Sequence, residues 1–156
     1  RAGRKVDTAT ILELAHDVSN IVALKDAAGN PAETAVLLSK APEGFEVYSG
    51  DDAFTLPLLA VGAVGVIGVA THWAAPEMRE LIEAFEKGDV AHARQINARL
   101  LPSFAFETGD LNPNPVPTKA MMKVLGQPGG DCRPPMGPEP AGLQDRARSI
   151  LSELGR

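Results

Sequence analysis

Apolar residues along the first ninety positions alternate between two rhythms. Ile11, Leu12, Ala15 and Val18 have helical spacing, and Asp7 stands where it can cap the helix they define. Ile21-Val22-Ala23-Leu24 is a continuous apolar run with the length of a buried strand. Asn30, Pro31 and Glu33 then supply N-cap, N1 and N3 residues for a second helix, which the pattern carries to about Lys40. The turn Pro42-Glu43-Gly44 ends it. Phe45 to Tyr48 predicts a second strand, residues 53–62 a third helix and Val66 to Ala70 a third strand. Pro76 opens a helix with Met78, Leu81, Ile82 and Phe85 on one face, stopped by Gly88. Helices and strands alternating with connections of this length predict parallel βαβ units, an α/β fold.

After Gly88 no strand signal follows. Asp89 can cap a helix carrying Ala93, Ile96 and Leu100, and a Pro/Asn-rich segment, 112–117, leads into a short helix around Lys119 to Leu125. A Gly/Pro-rich linker over 126–142 precedes a last helix with Leu143, Ala147, Ile150, Leu151 and Leu154 on one face. The expected division is therefore an α/β part, residues 1–88, and a helical appendix, residues 89–156.

Residues 53–76 contain no Asp, Glu, Lys or Arg, which is long enough to span a bilayer. Pro57 and the glycines at 62, 65 and 68 interrupt the stretch, and no basic cluster flanks it. A short buried helix and a strand covered on both faces explain it better.

The chain has 156 residues, 44% hydrophobic and 22% charged, which suits a globular domain. Its formal charge of −5 argues against a nucleic-acid partner and supplies no basic stripe for a membrane surface. The single cysteine, Cys132, excludes an internal disulfide framework and fits a cytoplasmic location. The opening Arg1-Ala2-Gly3-Arg4-Lys5 has no apolar segment behind it, so no signal peptide is expected, and the missing initiator methionine suggests a fragment.

Lys25 is the most informative residue. It ends the apolar run 21–24, and in barrels and open α/β sheets the C-terminal ends of parallel strands carry the active site. Burial there would disfavour the ammonium, and a neutral amine is a nucleophile toward carbonyls. The alternative is a lysine that reaches out to a carboxylate such as Asp26. Tyr48-Ser49-Gly50-Asp51-Asp52 ends the second strand. Gly50 permits close backbone approach to a ligand, and capping of the next helix by Asp51 or Asp52 is favoured over a metal site. His16, His72 and His92 form no ligand set, although His72, just after the third strand, can sit near a pocket. The glycines 62, 65 and 68 stand before and within a strand, so a dinucleotide fingerprint is not indicated.

Asn20-Ile-Val-Ala-Leu-Lys25-Asp-Ala-Ala-Gly-Asn30 resembles the segment around the Schiff-base lysine of the dihydrodipicolinate synthase (4-hydroxy-tetrahydrodipicolinate synthase) family. Tyr48-Ser-Gly-Asp-Asp52, Gly65-Val-Ile-Gly-Val69 and Asn112-Pro-Asn-Pro-Val-Pro117 resemble that family's next landmarks in the same order, and Arg1-Ala2-Gly3 resembles the Arg-Thr/Ser-Gly after its fifth strand. The resemblance implies strands six to eight of a TIM (β/α)8 barrel followed by a helical C-terminal domain. It also implies a lyase of the lysine and diaminopimelate route, condensing pyruvate with aspartate semialdehyde, tetrameric at full length and needing no cofactor beyond the covalent imine. Lys25 matches the imine-forming lysine. Arg1 matches the arginine that pairs with the semialdehyde carboxylate, and Gly50 and Ile67 match positions whose backbone lines the pyruvate pocket. The proton-relay tyrosine and threonine of the family fall outside this chain, so the chain alone is expected to be inactive. Gly68, where serine is common, and Leu111, where glutamate is common, depart from the family's pattern. N-acetylneuraminate lyase and 2-keto-3-deoxy-gluconate aldolases share the lysine chemistry but generally lack the arginine matched by Arg1. A non-catalytic keto-acid-binding relative would have no use for Lys25.

Overall fold

The computed structural model describes residues 3–107 and 112–156. It divides into two compact units, Arg1–Gly68 and Val69–Arg156. The first holds α1 (Thr8–Asp17), β1 (Ala23–Asp26), α2 (Pro31–Leu38), β2 (Glu46–Ser49), a 3-10 turn (Asp52–Phe54), α3 (Thr55–Leu59) and β3 (Gly65–Val66).

Local chemistry sets these boundaries. The Asp7 carboxylate accepts from the Thr10 amide at 2.8 Å and the Thr10 hydroxyl at 3.1 Å, so α1 starts where the cap predicts. Those two bonds hold the Asp7 carboxyl below the ordinary carboxylate range. Asn30 accepts from the Glu33 amide at 3.4 Å and Pro31 opens α2. The helix closes at Leu38, two residues early, because the amides of Lys40 and Ala41 both turn back onto the Leu37 carbonyl.

The strands pair in parallel and in sequence order, β1-β2-β3. Right-handed crossovers between sequentially ordered strands put every helix on the same face. Burial follows: Leu24 and Val47 pack with Ala15 of α1, Leu37 of α2 and Leu58 of α3, Val47 is fully buried, and Asp26 is buried against Thr34 of α2. On the other face Ala23, Lys25 and Glu46 are exposed. The reading of Val66 to Ala70 as the third strand is corrected in its bounds. The strand itself is only Gly65–Val66, with the Val64 and Ile67 amides on either side also bonded to β2, and Thr71 already starts the next helix.

The second unit is helical: α4 (Thr71–Glu86), α5 (Val90–Glu107), α6 (Val116–Val124) and α7 (Leu143–Glu153). Ala74 leaves helical geometry (φ −120°, ψ 27°) two residues before Pro76, so Pro76 stands in the first turn of the longer helical segment. Gly88, at φ 81°, ends it in the left-handed region that favours glycine. The Asp89 carboxylate accepts from the His92 amide at 3.0 Å, and Ala93, Ile96 and Leu100 of α5 are buried. The helices α4 and α5 pack along each other and both fall in the second compact unit. The Trp73 indole donates to Ser103 Oγ at 3.1 Å and meets the Phe106 ring edge-on at 6.0 Å, a contact worth about 0.5–1.5 kcal/mol beyond its area. Arg156 Nη2 donates to both Glu77 oxygens at 2.8 Å and Nη1 to the Trp73 carbonyl, which pairs the buried Glu77 carboxylate. No helix among the described residues is long and apolar enough to cross a membrane.

Candidate active site

The register aligns Lys25 of β1 with Tyr48 of β2, and Tyr48 with Gly65 of β3. Side chains alternate along strands, so Lys25 and Tyr48 share the face turned away from the helices. The next row on that face is formed by Ala27, Gly50 and Ile67. The Gly50 amide donates to the Asp26 carbonyl at 2.7 Å and the Ile67 amide to the Ser49 carbonyl at 2.8 Å, which carries the ladder to that row. Three of the four anticipated site residues, Lys25, Gly50 and Ile67, therefore stand together at the C-terminal end of one sheet face. The fourth, Arg1, lies outside the described residues, as does Leu111.

The sequence reading buries Lys25; in this chain it is exposed. Nor does Lys25 use Asp26 as a partner. The Asp26 carboxylate is buried on the opposite face, where it accepts from the Thr34 hydroxyl at 2.5 Å and the Ala28 amide at 2.8 Å. Adjacent strand residues point to opposite faces, which separates the two side chains. Asp26 instead fixes the turn from β1 into α2, just past Lys25. Sequence spacing marks Asp26 only as a neighbour of the lysine; its bond to Thr34, eight residues on, needs the folded turn.

An open cavity of about 350 Å³ adjoins Lys25, lined by Arg4, Lys5, Val6, Ile11 and the strand-end residues 24–28. Arg4, Lys5 and Lys25 bring three cations to it, while its carboxylate is engaged elsewhere. This arrangement suits an anionic ligand.

Asp51 caps the 3-10 turn by accepting from the Ala53 amide at 3.0 Å, the capping role favoured from sequence. Asp52 is fully buried, and a Cβ placed on Gly68 would overlap its carboxylate. Glycine at 68, the departure from the common serine, matches that crowding. His16 and His92 bond to the Lys40 carbonyl and the Glu80 carboxylate, and His72 Nδ1 donates to the Val69 carbonyl at 2.8 Å. Among the described residues no group of three or more His, Cys, Asp or Glu is placed to hold a metal ion.

Tyr48 is a feature that spacing alone leaves unassigned. Its hydroxyl donates to Glu46 Oε2 at 2.6 Å, and the carboxylate pushes the phenol above the ordinary tyrosine value of about 10. Tyr48 is the only tyrosine in the chain, so alkaline absorbance titration reads it alone. The expected midpoint lies above 10 and falls in Glu46→Gln; an unmoved midpoint would show that the two groups do not interact in solution.

The model of the dihydrodipicolinate synthetase family matches residues 1–154. A 4-hydroxy-tetrahydrodipicolinate synthase of Synechococcus elongatus is 43% identical over 155 residues, covering 99% of this chain and 51% of the relative. The enzyme of that name from Symbiobacterium thermophilum is 46% identical over 147 residues, 94% of this chain and 49% of the relative. The crystal structure of the Cyanidioschyzon merolae synthase with lysine bound superposes with a TM-score of 0.90 at 37% identity, over 99% of this chain and 52% of that one. The Aquifex aeolicus synthase gives 0.85 at 33% identity, over 97% and 51%. The chain spans about half the length of the curated relatives it matches.

Proposed function

The chain belongs to the dihydrodipicolinate synthetase family, and from that premise we propose that it carries the imine-forming half of a synthase joining pyruvate to aspartate semialdehyde. The observation that supports this most is the convergence of Lys25, Gly50 and Ile67 on one face at the ends of three parallel strands. In this reading those strands are the sixth to eighth of a (β/α)8 barrel. Residues 1–88 are its C-terminal portion and residues 89–156 the helical C-terminal domain. The complete protein is a cytoplasmic homotetramer that needs no cofactor.

Lys25 Nζ attacks the ketone carbon of pyruvate, and loss of water leaves an imine. Removal of a proton from the methyl carbon gives an enamine, whose carbon bonds to the aldehyde carbon of the semialdehyde while the aldehyde oxygen takes a proton. Attack by the substrate's own amine then closes the ring and releases the lysine. The product is 4-hydroxy-tetrahydrodipicolinate. The backbone at Gly50 and Ile67 lines the pyruvate subsite, and the cations around Lys25 favour a keto acid over a neutral ketone.

Borohydride reduction of the complete protein with pyruvate tests the reading. It should add a pyruvate-derived mass to the peptide containing Lys25; a label on another lysine, or none, would overturn it. Arg1 has a separate test. A guanidinium fork on the semialdehyde carboxylate is worth about 1.5–3 kcal/mol, so Arg1→Ala should lower semialdehyde use roughly tenfold to more than a hundredfold with pyruvate use little changed. Equal losses for both substrates would make Arg1 structural.

A further inference from the structure

We infer that Gly50 is a positioning residue that acts by seating the stem of Lys25, apart from whatever its backbone contributes to the keto-acid pocket. The inference rests on the imine reading of Lys25. A Cβ at Gly50 would stand 3.0 Å from Lys25 Cγ, 3.1 Å from Lys25 Cε and 2.9 Å from Ala27 Cβ. Real Cβ atoms are rarely packed so tightly, so the lysine stem crosses the strand in the space that the missing side chain leaves. Conformation does not explain the glycine, because Gly50 does not adopt a positive φ. Its amide is held by the Asp26 carbonyl at 2.7 Å, so the strand end cannot easily withdraw.

What gives way on adding a methyl group decides the outcome. The backbone is pinned by that bond, whereas the lysine stem has four rotatable bonds. The cheapest relief is for the stem to swing off Gly50, which carries Nζ away from the strand end. Folding loses little by this, but placement of the reacting nitrogen loses much, because attack on a carbonyl needs near-attack geometry. Gly50→Ala is therefore a variant that stays folded with its nucleophile displaced.

The experiment compares the complete protein with Gly50→Ala, measuring borohydride trapping of pyruvate on Lys25 at saturating pyruvate, the half-saturating pyruvate concentration and thermal melting. The expected result is at least a tenfold slower trapping rate at saturation, with a melting temperature within a few degrees. An increase confined to the half-saturating concentration would overturn the inference in favour of a pocket-lining role alone. Loss of folding would overturn it too, since the glycine would then serve the strand and not the lysine. Adding Ala27→Gly relieves only the contact with Ala27, so trapping should stay slow; full recovery would assign the effect to Ala27. If the unsubstituted protein fails to trap pyruvate at Lys25, the imine reading itself fails, an outcome separate from any difference between the variants.

Discussion

Lys25→Arg in the complete protein is expected to abolish pyruvate trapping and to lower turnover to background. Arginine keeps the charge and much of the reach of lysine, so it preserves any purely electrostatic role at the strand end. Yet a guanidinium stays protonated at any working pH and offers no free lone pair to a carbonyl carbon. A residue that merely attracts the pyruvate carboxylate would tolerate this change. One that forms the carbon–nitrogen bond would not, and losses of thousands-fold are ordinary for removal of a covalent nucleophile. The measurement is turnover in a coupled assay beside reductive trapping. Retention of a tenth or more of the activity would remove Lys25 from the bond-making role and leave it as an anion-binding group.

The 156-residue chain, assayed alone with pyruvate and semialdehyde, is expected to read background. Its three strands carry the proposed nucleophile on a face open to solvent, with Lys25 exposed and Ile67 48% exposed. Imine formation loses water and passes through charged species that a closed site stabilises far better than bulk solvent does. The proton-relay groups that the family resemblance expects lie outside this sequence. Apolar exposure adds a physical consequence: Val22 is 63% exposed and Val64 43%, beside β1 and β3 at the two sides of the sheet. Unpaired strand sides with apolar residues invite association, so light scattering should detect self-association of the isolated chain. Turnover within about tenfold of the complete protein would place the active site entirely within these residues and overturn the half-site reading.

Much of the chain is legible in the sequence because local chemistry is written in neighbouring residues. Asp7 with Thr10, Asn30 with Glu33, and Asp89 with His92 each join an acceptor to an amide three residues on, and such caps depend on little else. Lys25 stood out for a similar reason, since an apolar run ending in lysine at a strand terminus is unusual by itself. Burial was less accessible. The run 21–24 and the run 66–70 both suggest covered strands, but residues that face solvent here are just as apolar as those that face the helices.

The amino-acid sequence by itself determined the order of helices and strands, the caps that start them and the lysine proposed as the nucleophile. These follow from spacing and side-chain type within a few positions. Tertiary structure alone decided that Lys25, Gly50 and Ile67 meet on one face, that Asp26 turns away to Thr34, and that Tyr48 bonds to Glu46. Those outcomes depend on strand register and on which face the helices cover. Both are set by packing of Val47, Leu37 and Leu58 across segments distant in sequence, where no local pattern carries the information.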